Sequence, residues 1–84
     1  MVEKARVFRA LGDPTRLKIL DLVKSQEYCG TDLVELLEVP QSTLVHHLST
    51  LLHANVIQSR KEGKFVFYSV NRMIWDRFCA PVGL

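Results

Sequence analysis

The chain's 84 residues suffice for one small domain, and a core of that size makes dimerisation an expected way to bury more apolar surface. With 48% hydrophobic and 24% charged residues it reads as globular rather than disordered or fibrous, and no apolar run nears the roughly 18 residues of a membrane span. Its net charge of +2 is too small to mark it as a strongly basic protein, its two distant cysteines do not form a disulfide scaffold, and the opening MVEKARVFRAL lacks a signal-peptide core, so a reducing cytoplasm is the expected compartment.

Along the chain, Val2, Ala5, Val7, Phe8 and Leu11 recur at helical spacing and predict a first helix that Gly12 closes. Asp13-Pro14 is a helix-start signal, an N-cap acceptor followed by proline at the first helical position, and opens a second helix through Leu17, Ile19, Leu20 and Val23 to about Lys24. A third helix is expected from about Thr31 to Glu38, with Leu33, Leu36 and Leu37 inward. Val39-Pro40-Gln41 leaves room only for a tight turn, because proline disfavours helix in the residue before it.

Ser42 is the expected cap of a fourth helix, ending near Asn55, a residue that tolerates the left-handed conformation. The 100° step gathers Leu44, Leu48, Leu51 and Leu52 on one side and sets Ser42, His46, Ser49 and His53 opposite, flanked by Thr43 and Thr50. His47 falls at the border of the apolar face and reads as structural. Charge is uneven: residues 1–40 hold six Lys/Arg and seven Asp/Glu, residues 41–84 hold five and two, and no charged residue lies between Val39 and Ser59. A surface without acids suits a phosphate backbone.

Two strands follow, roughly Val56–Arg60 and Lys64–Val70, around a Lys61-Glu62-Gly63 turn, with Val66, Tyr68 and Val70 alternating against Phe65, Phe67 and Ser69. Phe65 and Phe67 form either a partner surface or a covered hydrophobic flank. Asn71 caps a last helix containing Met73, Ile74, Trp75 and Phe78, too apolar to stand in water alone and ended by Pro81 and Gly83.

Helix, turn, helix and then a hairpin with basic residues is the order of a winged helix-turn-helix: an α+β, mainly α fold of four to five helices plus a two-stranded wing, here over residues 1–84 as one domain. The expected partner is double-stranded DNA. Gln41, Ser42 and Thr43 stand at the start of the fourth helix, where unpaired N–H groups suit a phosphate; Val45, His46 and Ser49 continue its exposed side; Arg60, Lys61 and Lys64 on the wing would hold the backbone. A winged-helix module that binds another protein is the competing expectation. An enzyme is not expected, since no nucleophile–base pair, glycine-rich phosphate loop or metal-ligand cluster appears.

Three segments in order give the chain a resemblance to the ArsR/SmtB-type repressors: FRALGDPTRLKIL resembles the family's first-to-second helix signature, QSTLVHHLSTLLHANVI its recognition helix, and SRKEGKFVFYSV its wing. The resemblance implies a homodimer paired through its first and last helices, bound to a palindromic operator and released by an inducer or redox signal. It also implies where the chain departs. In EYCGTDL, Cys29 fits the first thiol of the family's thiolate metal site and Thr31 replaces the second; the last helix offers Asp76 without a histidine; Val45 stands where relatives often carry serine. No complete metal site is therefore expected, as neither place supplies about four good ligands, while a metal or an arsenical at Cys29 stays open. Cys29 and Cys79 are the candidate sensing thiols, for oxidation, persulfide or an arsenical, against the plainer reading of small buried hydrophobes.

Overall fold

The computed structural model describes residues 2–84. α1 (Val2–Leu11) ends at the Gly12 bend, and Asp13 then takes an extended conformation from which its Oδ2 accepts the backbone N–H groups of Thr15 at 2.9 Å and Arg16 at 3.1 Å. Those donors have no partner within a helix, so the aspartate and Pro14 together fix where α2 (Pro14–Val23) begins. α3 (Gly30–Leu37) and α4 (Gln41–His53) follow, then β2 (Ile57–Glu62), β3 (Phe65–Val70) and a last helical segment.

That segment is less regular than a single helix. α5 (Arg72–Ile74), with Asn71 Oδ1 accepting from the Ile74 N–H, widens into a π turn over Trp75–Cys79 and tightens into a 3₁₀ turn over Ala80–Val82. Pro81 thus sits inside the final turn rather than ending a helix, and Gly83 (φ +89°) closes it.

The structure adds a strand that the periodicity did not foretell. β1 (Tyr28–Cys29) is two residues long, too short for an alternation signal, and makes the wing part of an antiparallel sheet of order β1-β3-β2. Its register pairs Tyr28 with Tyr68 and Cys29 with Phe67, while Arg60 pairs with Phe67 from the other side.

The core holds Val7, Ala10 and Leu11 of α1, Ile19, Leu20 and Val23 of α2, Leu33 of α3, Leu44, Leu48 and Leu51 of α4, and Val56, Ile57, Val70, Ile74, Trp75 and Cys79. Each fully buried leucine is worth about 1.5–3 kcal/mol of transfer energy, so α4 is held mainly by its three. The expected apolar faces of two helices are corrected. Leu36 is 56% exposed, and Val34 packs against the core beside Leu37 instead, because on the 100° step Leu37 and Val34 lie to one side of the buried Leu33 and Leu36 to the other. On α1 the apolar set splits: Val7 and Leu11 are buried, while Val2, Ala5 and Phe8 stay on the surface.

Candidate nucleic-acid interface

The turn before α4 is built differently from the expected serine cap. Glu38 adopts a left-handed conformation (φ 54°) and ends α3, and Pro40, extended at ψ 147°, is the N-cap of α4 through its carbonyl, which accepts from the Leu44 N–H at 3.0 Å. Ser42 is therefore inside the first turn, and no side chain caps the start of α4. The N–H groups there remain available to an outside acceptor. At the other end α4 stops at His53, and Asn55 (φ 61°) takes the left-handed conformation expected of it, with the Val56 N–H returning to the Leu51 carbonyl at 3.1 Å.

The two faces of α4 fall as its periodicity implies. Leu44, Leu48 and Leu51 are buried; Gln41, Ser42, Val45, His46 and His53 are exposed, with Thr43 and Ser49 half-buried. Ser49 and His53 are joined, the His53 Nδ1 lying 2.7 Å from the Ser49 carbonyl and 3.3 Å from its Oγ. His46 and His47 diverge. His47 is only 12% exposed and its Nδ1 lies 3.1 Å from Nη1 of Arg16, which can only donate, so that nitrogen is the acceptor. Arg16 also donates through Nε to the Ala10 carbonyl at 2.6 Å. One guanidinium thereby links α1, α2 and α4, and His47 positions the helix rather than reaching outward.

The wing differs from the expected hairpin in its turn. Strand pairing runs to Glu62 opposite Phe65, so the turn is Gly63-Lys64, and Gly63 has the positive φ (61°) that the first position of such a two-residue turn demands. Lys64 is at the tip and Lys61 within β2. Alternation places Arg60 and Glu62 on one face of β2 and Lys61 on the other.

Arg60 is occupied. Its Nε lies 3.1 and 3.0 Å from the two Glu27 carboxylate oxygens, its Nη2 also donates to Glu27, its Nη1 donates to Glu62 at 2.6 Å, and its guanidinium lies 4.9 Å from the Phe67 ring centroid. The hydrogen bond from Arg60 holds the Glu27 carboxyl below its ordinary range, and the two acids hold the Arg60 guanidinium more firmly protonated. Glu62 is two positions away on the same strand face, but nothing near Arg60 in sequence announces Glu27, which lies 33 positions away and is brought in by β1. Phe67 is half covered through that contact, whereas Phe65 is 46% exposed.

Between α4 and the wing lies a cleft of about 280 Å³ lined by Cys29, Thr31, Val34, Gln41, Leu44, Val45, Leu48, Lys64, Phe65, Val66 and Tyr68. On the other side of α4 a shallower cleft of about 390 Å³ is formed by Arg6, Arg9 and Ala10 of α1 with His46, Ser49, Thr50, His53 and Ala54. Of the residues expected at the interface, Gln41, Val45 and Lys64 line the first cleft and His46 and Ser49 the second, where Arg6 and Arg9 join them unforeseen. Their only sequence signal was two arginines three apart on an amphipathic helix. Cys29 and Cys79 are both free and buried, and burial pushes the Cys79 thiol up. No group of three or more metal-ligating side chains occurs among the described residues, and no helix there is long and apolar enough to cross a membrane.

Helix-turn-helix, uncapped recognition helix and wing define a winged helix-turn-helix DNA-binding regulator, not an enzyme. Residues 13–59 match the family described as bacterial regulatory protein, arsR family, and the chain belongs to that family. It is 40% identical over 68 residues (81% of this chain, 76% of the relative) to the transcriptional repressor SdpR of Bacillus subtilis (strain 168), and 36% identical over 74 residues (88% and 71%) to an arsenical resistance operon repressor of Staphylococcus aureus. Among solved structures it is similar to a homodimeric winged helix-turn-helix DNA-binding domain of Mycobacterium bovis, a possible ArsR-family regulator, at a TM-score of 0.86 and 28% identity over 95% of this chain and 74% of that one. HlyU of Vibrio cholerae superimposes at 0.80 with 26% identity, covering 93% and 94%. Membership settles the choice between the two readings of the fold in favour of a DNA-binding transcriptional regulator over a protein-interaction module.

Proposed function

We propose that this chain acts in the cytoplasm as a homodimeric repressor, residues 1–84 serving as one DNA-binding domain on a palindromic operator. The observation that carries this reading is the outward face of α4: exposed, polar, without an acid, and open at its N-terminus. Gln41, Ser42 and Thr43 meet a phosphate or the first base edges; Val45, His46 and Ser49 lie along the major groove; Lys61 and Lys64 take the backbone, and Arg60 joins them to the extent that Glu27 and Glu62 release it. The dimer uses the first and last helices, where Val2 (71%), Phe8 (37%), Met73 (69%) and Val82 (57%) leave apolar surface exposed and Phe8 already meets Phe78 edge-on at 6.4 Å. The homodimeric state of the Mycobacterium bovis neighbour supports it. Two recognition helices would then lie about 34–36 Å apart, one DNA turn.

Of the two thiols, Cys29 is better placed to couple an inducer or oxidant to release, because it lines the cleft between α4 and the wing while Cys79 is sealed in the core. Selection of binding sites from random duplexes tests the whole reading. Wild type should enrich a palindrome with half-sites one turn apart, and Thr43→Ala or His46→Ala should change the preferred base at a cost of about 1–3 kcal/mol per site position. Enrichment of no common sequence, or the same preference in both variants, would defeat it. Arsenite or a thiol oxidant should weaken binding of wild type but not of Cys29→Ser; equal responses would remove the thiol from the mechanism.

A further inference from the structure

We propose that Arg6 and Arg9 of α1 form a second phosphate-binding site, taking a phosphodiester of the DNA backbone on the flank of α4 that faces away from the wing. The inference rests on the reading that the outward face of α4 lies in the major groove. On the 100° step, the cleft beside the wing and the cleft beside α1 border that face on its two sides, the first through Gln41 and Val45, the second through His46 and Thr50. A helix about 10–12 Å across fills a groove about 12 Å wide, so whatever stands at either edge of the helix meets a wall of phosphates.

The chemistry of the α1 cleft fits one ligand class. Its polar lining is Arg6, Arg9, His46, Ser49, Thr50 and His53, with no carboxylate among them. The chain has six arginines, and four are already engaged: Arg16 with the Ala10 carbonyl and His47, Arg60 with Glu27 and Glu62, Arg72 with the Lys24 carbonyl, and Arg77 with Glu3 and the Phe78 ring. Arg6 and Arg9 alone have no hydrogen-bond acceptor or ion-pair partner among the described residues. Glu3, the acid one turn before Arg6, is turned toward Arg77. Two forked guanidinium groups beside hydroxyl and imidazole groups suit the oxygens of a phosphodiester, which accepts several hydrogen bonds at once. Burial also divides α1: Val7, Ala10 and Leu11 enter the core and Phe8 leans on Phe78, so the aromatic contact and the two arginines occupy different sides of the helix, while Val2 stands one turn before Arg6 on the arginine side.

The test is fluorescence anisotropy of the full chain on a labelled duplex of unrelated sequence, titrated across salt concentrations, for wild type, the double variant Arg6→Gln/Arg9→Gln, Arg6→Lys/Arg9→Lys, and Lys61→Ala/Lys64→Ala. The glutamine variant should flatten the slope of log Kd against log salt by about one to two, with the lysine variant near wild type and the melting temperature unchanged. A wild-type slope in the glutamine variant, while the wing variant does flatten it, would overturn the α1 site and leave the DNA reading standing. Absence of salt-sensitive binding in wild type would overturn both. A glutamine variant that dissociates to monomer in sedimentation, with its slope unchanged once dimer is restored at higher concentration, would assign the arginines to a second copy of the chain and refute the proposal.

Discussion

The two flanks of the recognition helix carry cations by different arrangements. On the wing side the sequence places Arg60, Lys61 and Lys64 within five positions, yet the arginine is bound by Glu27 and Glu62 and stacked on Phe67, and the cleft between wing and helix has, among the described residues, Lys64 as its one cation. On the α1 side only two cations occur, and neither is neutralised. The formal charge of an element is therefore a poor measure of the charge it presents. What decides it is whether the fold brings an acid alongside, and here a two-residue strand does so for the wing and nothing does so for α1.

Both flanks hang on the same buried leucines, so the largest effect comes from breaking that shared base. Leu51 is wholly buried, and Leu51→Ala should cost about 2–5 kcal/mol through lost burial and the cavity left behind. For a small domain whose total stability is on the order of 5–15 kcal/mol, the urea midpoint should drop sharply and DNA binding by both flanks should fail together. A loss below about 1 kcal/mol would show that α4 is anchored elsewhere, and the flanks could then be independent.

The parts of this architecture that depend on local signals were legible in the sequence. Asp13-Pro14 names the start of α2 because capping is a matter of three neighbouring residues, and the spacing of Leu44, Leu48 and Leu51 orients α4. What was not legible depends on distant pairing. β1 is too short to show a period, and through it Cys29, Phe67 and Arg60 form one row across the sheet, with Glu27 two residues before Cys29 and so able to reach the same face. The expected cap at Ser42 failed for a local reason of a different kind: Pro40, fixed at φ −59°, is extended yet still lends its carbonyl to the first helical bond, so α4 starts two residues earlier than a cap at Ser42 would place it. The spacing of Arg6 and Arg9 was too weak a signal, because a half-exposed helix with arginines on its polar side looks the same whether or not another helix lies beside them.

A smaller effect separates the cations within the wing. Replacing Lys61 or Lys64 by alanine should weaken binding to every sequence and flatten the salt slope by about one each, since neither has an ion-pair partner among the described residues. Arg60→Ala should leave the slope close to wild type, as its charge is already compensated by Glu27 and Glu62. Equal flattening in all three would mean that DNA pulls Arg60 from its partners, and the contrast between the flanks would narrow.

The smallest effect concerns the acid that makes the difference. Glu27 keeps its carboxyl ionised below the ordinary 4.5 chiefly because Arg60 donates to it, with the opposite charge adding to this and desolvation opposing it. A carboxyl whose value is lower in the folded chain takes up its proton first in the unfolded chain as the pH falls, so its contribution to stability is complete above 4.5 and fades as the pH drops through the lower, folded value. Asp13 behaves likewise below its ordinary 3.8, held down first by the Arg16 backbone N–H, and is common to both proteins, so comparing Glu27→Gln with wild type isolates one group. The variant's melting temperature should fall less steeply on acidification from pH 5 to about pH 3. At neutral pH the same substitution leaves Arg60 with Glu62 alone, so the wing should gain a fraction of a free cation and its salt slope should steepen by less than one. The wing would then behave more like the α1 flank. If neither the acid response nor the salt slope moved, Glu27 would not be what silences Arg60, and the short strand that delivers it would have no part in setting the charge that the wing shows to DNA.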